Sequence, residues 1–148
     1  MVYCSHAGYR ILLDQQRGRV VALTHQGHLL TQEQGMDTEA NKAIVRRSIE
    51  MWNTGNVALA DEVLAAAWMD HAHPEVVGTD SVKQSVVRVR TAFPDFHITI
   101  EQIVGEGDLV AIRATILRGG KTSRVMWFVR FAEGKMREMW TGSEISPA

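Results

Sequence analysis

The sequence has almost no cysteine and almost no net charge, and each of these shortages excludes a class of protein. Cys4 is the only cysteine among 148 residues. An intramolecular disulfide and a cysteine-based zinc site are therefore both excluded. The formal net charge of −1 gives no long-range attraction to nucleic acid or to an anionic membrane surface.

Long apolar runs are lacking too. No stretch approaches the ~20 apolar residues of a membrane-spanning helix, and the first residues lack the basic-then-apolar pattern of a signal peptide. We therefore expect a cytoplasmic protein with no membrane partner. The hydrophobic content of 45% at this length is enough for one domain with a core of its own.

The first 35 residues differ from the rest of the chain, because glutamine is frequent there and helical periodicity is poor. Residues 9–13 and 19–23 have the composition of strands, and the second of these could pair with residues 28–30 around Gln26-Gly27. We predict an N-terminal arm or extra hairpin over residues 1–35 and one domain over residues 36–148. Asp37 is a good helix cap, so a start at Met36 would leave this domain intact.

Histidines in the arm do not indicate a metal site. His6, His25 and His28 match no known spacing of ligands. We expect no metal and no cofactor.

The stretch from Phe93 to Glu101 separates a helical half of the chain from a half made of strands. Pro94 cannot continue a helix, and the residues after it alternate in polarity with the period of a strand. Helices are predicted from Asp37 or Thr38, from Asn56 and from Gly78. Strands are predicted over residues 97–104, 109–117, 122–131 and 135–141, with Trp68 to Pro74 as an extended segment. Helices followed by an antiparallel meander indicate an α+β fold.

The second predicted strand has two different faces. Val110, Ile112, Ala114 and Ile116 make one face apolar, whereas Arg113 and Thr115 lie on the other. We expect Arg113 and Thr115 to face a cavity beneath the helices. The apolar face would then be covered by a second copy of the chain.

Five short motifs occur in an order that resembles one known family. They are Trp52-Asn53-Thr54-Gly55-Asn56, Asp70-His71, Ala92-Phe93-Pro94-Asp95, Gly107-Asp108-x-Val110-x-x-Arg113 and Arg130-Phe131-x-x-Gly134-Lys135-x-x-Glu138-x-Trp140. The series resembles the SnoaL-like polyketide cyclases, within the nuclear transport factor two-like superfamily that includes ketosteroid isomerase, scytalone dehydratase and limonene epoxide hydrolase. It covers residues 37–144.

The resemblance implies a conical, strongly bent, antiparallel or mixed sheet wrapped around three helices. It also implies one deep apolar pocket and a homodimer formed through the sheet. The sequence departs from the family at a hairpin histidine, which is missing, and near the end of the last strand, where Glu144 is the only acid. Arg113-Ala114-Thr115 keeps the arginine of the epoxide hydrolases and replaces their acid by a hydroxyl group.

Three polar residues are the candidates for catalysis. We predict that His71 and Glu138 transfer protons and that Arg113 holds or polarises a substrate oxygen, because burial brings a carboxylate and an imidazole toward proton transfer at neutral pH. A structural histidine and a Glu138–Arg113 ion pair are the alternatives. The predicted ligand contacts are Trp52, Trp68, His73, Phe93, Thr115, Trp127 and Trp140.

Three functions are compatible with these residues. The first is a cofactor-free isomerase, cyclase, dehydratase or hydrolase that acts by acid–base chemistry on a small apolar molecule bound in the cone. The second is a non-catalytic small-molecule carrier of the same fold. The third is a protein-interaction module.

Overall fold

The computed structural model describes residues 38–142 with their side chains, together with the backbone of Ser143 and of four short strands within the first 30 residues. The chain divides into two compact units, Met1–Gly35 and Met36–Ala148. In the first unit, an antiparallel sheet is formed by β1 (Cys4–His6), β2 (Tyr9–Asp14), β3 (Arg19–Thr24) and β4 (Leu29–Leu30). The predicted pairing of the third and fourth of these segments is confirmed. The turn at Gln26-Gly27, the cap at Asp37, Glu144 and the three arm histidine side chains lie outside the described residues.

The first helix of the second unit, α1 (Thr38–Thr54), presents a stripe of buried side chains to the core. That stripe consists of Asn41, Val45, Ser48 and Met51. Gly55 follows the helix with a φ of 78°, a left-handed conformation in which glycine is at no steric disadvantage. The predicted end of the helix is therefore confirmed.

The second helix is shorter than its composition suggests. α2 (Leu59–Val63) is followed at once by a strand, β5 (Leu64–Asp70), although three alanines favour helix there. Leu64 pairs with Met136 on the last strand of the sheet, so tertiary pairing overrides local propensity. The predicted extended segment thus begins four residues early, at Leu64, and ends at Asp70. Asn56 does not cap α2, whose N-terminal residue has no side-chain cap.

The third helix, α3 (Gly78–Ala92), agrees with the prediction. Val82 and Val86 are buried, and Phe93 ends the helix before Pro94. Of the helices in the described part of the chain, none is long and apolar enough to cross a membrane.

The sheet of this unit has five strands in the order β5-β9-β8-β7-β6. Its remaining members are β6 (His97–Glu106), β7 (Leu109–Arg118), β8 (Lys121–Ala132) and β9 (Lys135–Ser143). β5 runs parallel to β9, and all other neighbours are antiparallel. Glu133 and Gly134 both have positive φ in the β8–β9 turn, which matches the predicted hairpin. The α+β prediction with a mixed sheet and three helices is confirmed.

The prediction for the two faces of β7 was wrong. Val110, Ile112 and Ala114 are buried in the core with side chains of α1 and α3, so they cannot form a dimer surface. We call this helix-covered side the inner face. Arg113 is exposed on the opposite side, the outer face. The reason is that the helices cover the more apolar side, and the mixed side can meet water because its polar groups pair there.

Two bulges shift side chains from one face to the other. In β6, Ile100 pairs with Ala114 and Gln102 with Arg113, so Glu101 is an extra residue. The expected regular alternation of β6 fails after this point, and Val104 is 63% exposed. In β9, Arg130 pairs with Glu138 and the next residue of β8 pairs with Met136, so Arg137 is extra.

Polar side chains also join elements where α1 and α3 end. Asn53 donates from Nδ2 to the carbonyl oxygen of Ile98 at 2.9 Å and accepts from the N–H of Ile98 at 2.7 Å. Asn53 thereby makes the two backbone hydrogen bonds that a neighbouring strand would otherwise make with Ile98. Asp95 accepts hydrogen bonds from the N–H groups of Gly119 and Gly120 at 2.8 and 2.6 Å, so it holds the β7–β8 turn rather than a helix end.

Candidate functional site

His71 is held in place by the backbone around it. It follows the last residue of β5, and its N–H donates to the carbonyl oxygen of Met139 on β9 at 2.9 Å. The carboxylate of Asp70 accepts the N–H of Ala72 at 2.9 Å, which turns the chain just after the strand. The histidine is therefore anchored on both sides of its Cα.

The bulge in β9 decides where Glu138 lies. Met136 is buried in the core, and in a regular strand Glu138 would share its face. Because Arg137 is an extra residue, Glu138 instead lies on the outer face beside Arg130. There its Oε2 is 3.0 Å from His71 Nε2. The side chains of His71 and Glu138 are 37% and 28% exposed, so solvent and a ligand can reach both.

Trp140 completes this group. Its ring stacks on the imidazole of His71 with centroids 4.7 Å apart and an interplanar angle of 7°. The guanidinium carbon of Arg130 lies 5.4 Å from the centroid of the same indole. Arg130 also approaches Asp108 in the β6–β7 turn at 3.8 Å. The result is an oriented imidazole–carboxylate pair with an aromatic wall and a cation nearby.

The structure thus brings together two of the three predicted catalytic residues, but on the unexpected side of the sheet. His71, Glu138 and Trp140 were expected to project into the interior of the cone. They lie on the face opposite the core, because Glu138 and Trp140 pair with Arg130 and Phe128 of the outer face. A carboxylate that orients a histidine is a common arrangement for general acid–base chemistry.

The third predicted residue, Arg113, belongs to a different group, so its predicted role beside Glu138 is wrong. By register it aligns with Gly142 on β9, four residues from Glu138. That offset is ~13 Å along the strand, and two strand spacings add ~10 Å. No side chain bridges that separation.

Arg113 pairs instead with the bulged residue of β6. Its Nε is 3.1 Å from Glu101 Oε2, and the hydroxyl of Thr115 donates to the same carboxylate. The Thr115 hydrogen bond, aided by the charge of Arg113, lowers the pKa of Glu101. Thr115 is thus engaged in an outer-face cluster and does not line the interior as predicted.

The predicted ligand contacts are dispersed. Trp68 is 3% exposed in the core, and Trp127 packs against the core from the inner face. Trp52 lies 6.0 Å from Phe96, ring centroid to ring centroid. His73 Nδ1 is 3.6 Å from Glu75 Oε1, and the side chain of His73 is largely exposed.

Phe93 lies at the β7–β8 turn beneath Gly119, with the guanidinium of Arg118 5.4 Å from its ring. Within the described residues, no three histidine, cysteine, aspartate or glutamate side chains come together as metal ligands.

Two buried polar residues were missed by the sequence reasoning. Asn41 is 3% exposed on the core stripe of α1, and Asp70 is 8% exposed at the end of β5. Asn41 precedes Val45 by four residues, a spacing that would have placed it on the buried stripe. Asp70 was quoted only as part of a motif. Both lie at one end of the sheet. Asp70 pairs with Met139 on β9, and the same row of residues continues across β8 to the part of the sheet that lies beneath the start of α1.

The architecture of the second unit first indicates a superfamily, and the sequence then identifies a family within it. A curved five-stranded sheet around three helices is the architecture of the nuclear transport factor two-like superfamily, and solved structures support this. A model of the family described as SnoaL-like polyketide cyclase matches residues 42–144. The chain belongs to this family, and the resemblance seen in its motifs is confirmed.

Several solved structures have the same fold. A Bacillus cereus protein provisionally described as a polyketide cyclase is 22% identical with a TM-score of 0.64, covering 71% of this chain and 74% of that one. A Jannaschia protein provisionally described as a SnoaL-like polyketide cyclase is 17% identical with a TM-score of 0.62, covering 76% and 91%. A Kribbella flavida protein provisionally described as a ketosteroid isomerase is 17% identical with a TM-score of 0.61, covering 76% and 86%. Identities this low establish the fold alone. A comparison with curated proteins found no significant match.

Proposed function

We propose that this protein is a cofactor-free enzyme that moves protons on a small apolar molecule, and that His71 and Glu138 carry out that step. The observation that supports it is the 3.0 Å contact between His71 Nε2 and Glu138 Oε2, from residues 67 positions apart in the sequence. Family membership supports small-molecule chemistry in general.

Glu138 and His71 would have separate roles. Glu138 fixes the plane of the imidazole and stabilises the imidazolium that forms when the ring takes a proton. The pair engages Nε2, so Nδ1 is the ring nitrogen left for the substrate. Trp140 stacks on one imidazole face, which limits rotation of the ring.

An apolar substrate would lie against the side chains that adjoin the pair. Met69 aligns with Glu138 on the neighbouring strand and is 44% exposed. Trp140 offers an aromatic surface on the other side. Arg130 replaces Arg113 as the cation able to polarise a substrate oxygen, because it is the arginine beside Trp140. Isomerisation, cyclisation, dehydration and hydrolysis all require such a proton transfer.

Turnover of a panel of small apolar ketones, hydroxy ketones and epoxides tests this proposal. For any substrate found, His71→Asn and Glu138→Gln should each lower kcat/KM by about 100-fold or more. Arg113→Gln is the matched control and should leave kcat/KM unchanged, because Arg113 pairs with Glu101 elsewhere on the sheet. Unchanged turnover and pH dependence in His71→Asn would refute the proposal. If Asp70→Asn were the only variant to lose turnover, the catalytic residues would lie on the inner face instead.

A non-catalytic binding protein is the second candidate. The observation in its favour is that the acid–base pair lies outside, whereas the buried amide of Asn41 lies inside. On this proposal the interior binds a small molecule, and the His71–Glu138 hydrogen bond only joins β5 to β9. Equal ligand affinity in wild type and His71→Asn, with no turnover in either, would favour it.

We further propose that a second copy of the chain covers the outer face over β6, β7 and β8. Val104, Phe128 and Met126 are 63%, 49% and 38% exposed, and the first two lie in one row of the sheet. The ion pair of Glu101 and Arg113 lies beside them. Because this face carries both charge signs, a two-fold axis can place each next to its opposite.

A further inference from the structure

One row of side chains crosses four strands of the outer face and ends at the candidate site. Val104 of β6 pairs with Ala111 of β7, and Ala111 pairs in turn with Phe128 of β8. Phe128 then pairs with Trp140 of β9, whose ring stacks on the imidazole of His71. Val104 and Phe128 are 63% and 49% exposed. The exposed apolar surface of the sheet is therefore continuous with the aromatic wall of the site.

The site is open on the side away from the sheet. α1 and α3 pack their buried side chains into the core on the inner face, so neither helix lies over His71 and Glu138. The side chains of these two residues are 37% and 28% exposed. A ligand pocket buries about 70–90% of its ligand's surface, and exclusion of water strengthens the electrostatic interactions within it. A sheet face with the indole of Trp140 as a wall is not such an enclosure, so a second surface is needed.

We propose that a second copy of the chain completes the site, with its outer face as the wall opposite the sheet. This rests on the proposed function of His71 and Glu138 and on the dimer proposed with it. A partner that covers the exposed half of Phe128 also reaches the neighbouring Trp140, because side chains paired across two strands lie about 5 Å apart. Phe128 pairs with the small Ala111, so a two-fold axis between them packs the large side chain of each copy against the small one of the other. The apolar substrate is then held between the two copies.

Separation of the two copies is the first test. Val104→Glu places a charge in this row on β6, far across the sheet from Trp140. It should be a monomer by light scattering and should lower kcat/KM about tenfold or more, the change expected for loss of ~60 Å² of apolar contact with a ligand. Val87→Glu on α3, where the valine is 56% exposed, is the matched control and should stay dimeric with unchanged kcat/KM. A Val104→Glu monomer with wild-type kcat/KM overturns this proposal and leaves the roles of His71 and Glu138 intact. A Val104→Glu variant that remains dimeric also overturns it.

The reactivity of His71 gives a second test that needs no substrate. Diethyl pyrocarbonate modifies histidines, and mass spectrometry measures the rate at each position. His71 should react faster in Val104→Glu than in the wild-type dimer, because loss of the second copy uncovers it. His73, with a side chain that is 65% exposed, is the internal control and should react equally in both.

Dilution of wild type until it dissociates should reproduce the faster reaction of His71 without any substitution. Equal reactivity of His71 in monomer and dimer overturns the proposal, as does a wild type that is monomeric at every concentration. A failure of His71→Asn to lower turnover is a different result, because it refutes the proposed function itself.

Discussion

The two faces of the five-stranded sheet differ in the polar side chains that they carry. On the inner face the strands pack valine, isoleucine and alanine against the helices, and Asp70 is the only buried carboxylate there among the described residues. On the outer face, ionisable side chains occur in pairs, such as Glu101 with Arg113 and His71 with Glu138. Polar groups on the outer face therefore meet partners and water, whereas a polar group on the inner face is buried and needs a specific partner to offset the cost of its burial.

The largest effect is expected from a charge placed on each face in turn. Ile112→Glu should lower the free energy of unfolding by at least about 3 kcal/mol, because it buries an unpaired carboxylate in the core. Phe128→Glu, the control on the outer face, buries no charge in the core, so it should change the free energy of unfolding by no more than about 0.5 kcal/mol beyond the stabilisation lost with the proposed dimer. Urea unfolding measures both.

The same control tests the proposed dimer. Light scattering should show a dimer for wild type at micromolar concentration and a monomer for Phe128→Glu. A wild-type monomer would exclude the outer face as an interface. Equal loss of stability in the two variants would show that the faces do not differ.

A smaller effect is expected at the junction of α1 and β6. Asn53→Ala should cost about 1–3 kcal/mol, because it leaves the N–H and carbonyl oxygen of Ile98 without their partners. Thr54→Ala on the exposed side is the control, since that hydroxyl makes only local hydrogen bonds, to the carbonyl oxygen of Glu50 and from the N–H of Asn56. If denaturant titration gives equal losses of unfolding free energy for the two variants, water satisfies the N–H and carbonyl oxygen of Ile98.

An effect of pH is expected at the β7–β8 turn. The N–H groups of Gly120 and Gly119 lower the pKa of Asp95 from its ordinary value of 3.8. A lowered pKa in the folded state means stability that is present above the unfolded-state pKa and is lost as the pH falls through the folded-state pKa. Tm should therefore fall less steeply below pH 4 in Asp95→Asn than in wild type. An identical slope would contradict this role.

The smallest effect is expected from removal of residues 1–35. They form a compact unit of their own, and every side chain of the two faces discussed above lies beyond residue 37. We propose that the remaining chain keeps the Tm and cooperativity of the full-length protein. Aggregation or a lower Tm in calorimetry would show that the first unit stabilises the second.

Much of the fold could be predicted because local chemistry decided it. Gly55, Pro94 and the Glu133-Gly134 turn marked element boundaries within a residue or two, since backbone conformation there depends on residue type. The family motifs also singled out His71 and Glu138, which the structure joins at 3.0 Å.

The sequence by itself therefore determined α1, α3, the four-stranded meander and the family. The tertiary structure alone decided which face each side chain occupies. One extra residue, Glu101 in β6 or Arg137 in β9, moves every later side chain to the other face, and single-strand periodicity does not reveal it. Leu64 entered a strand because Met136 was its partner, and Asn41 is buried because its helix lies against the sheet. These outcomes depend on contacts between distant segments, which no local pattern contains.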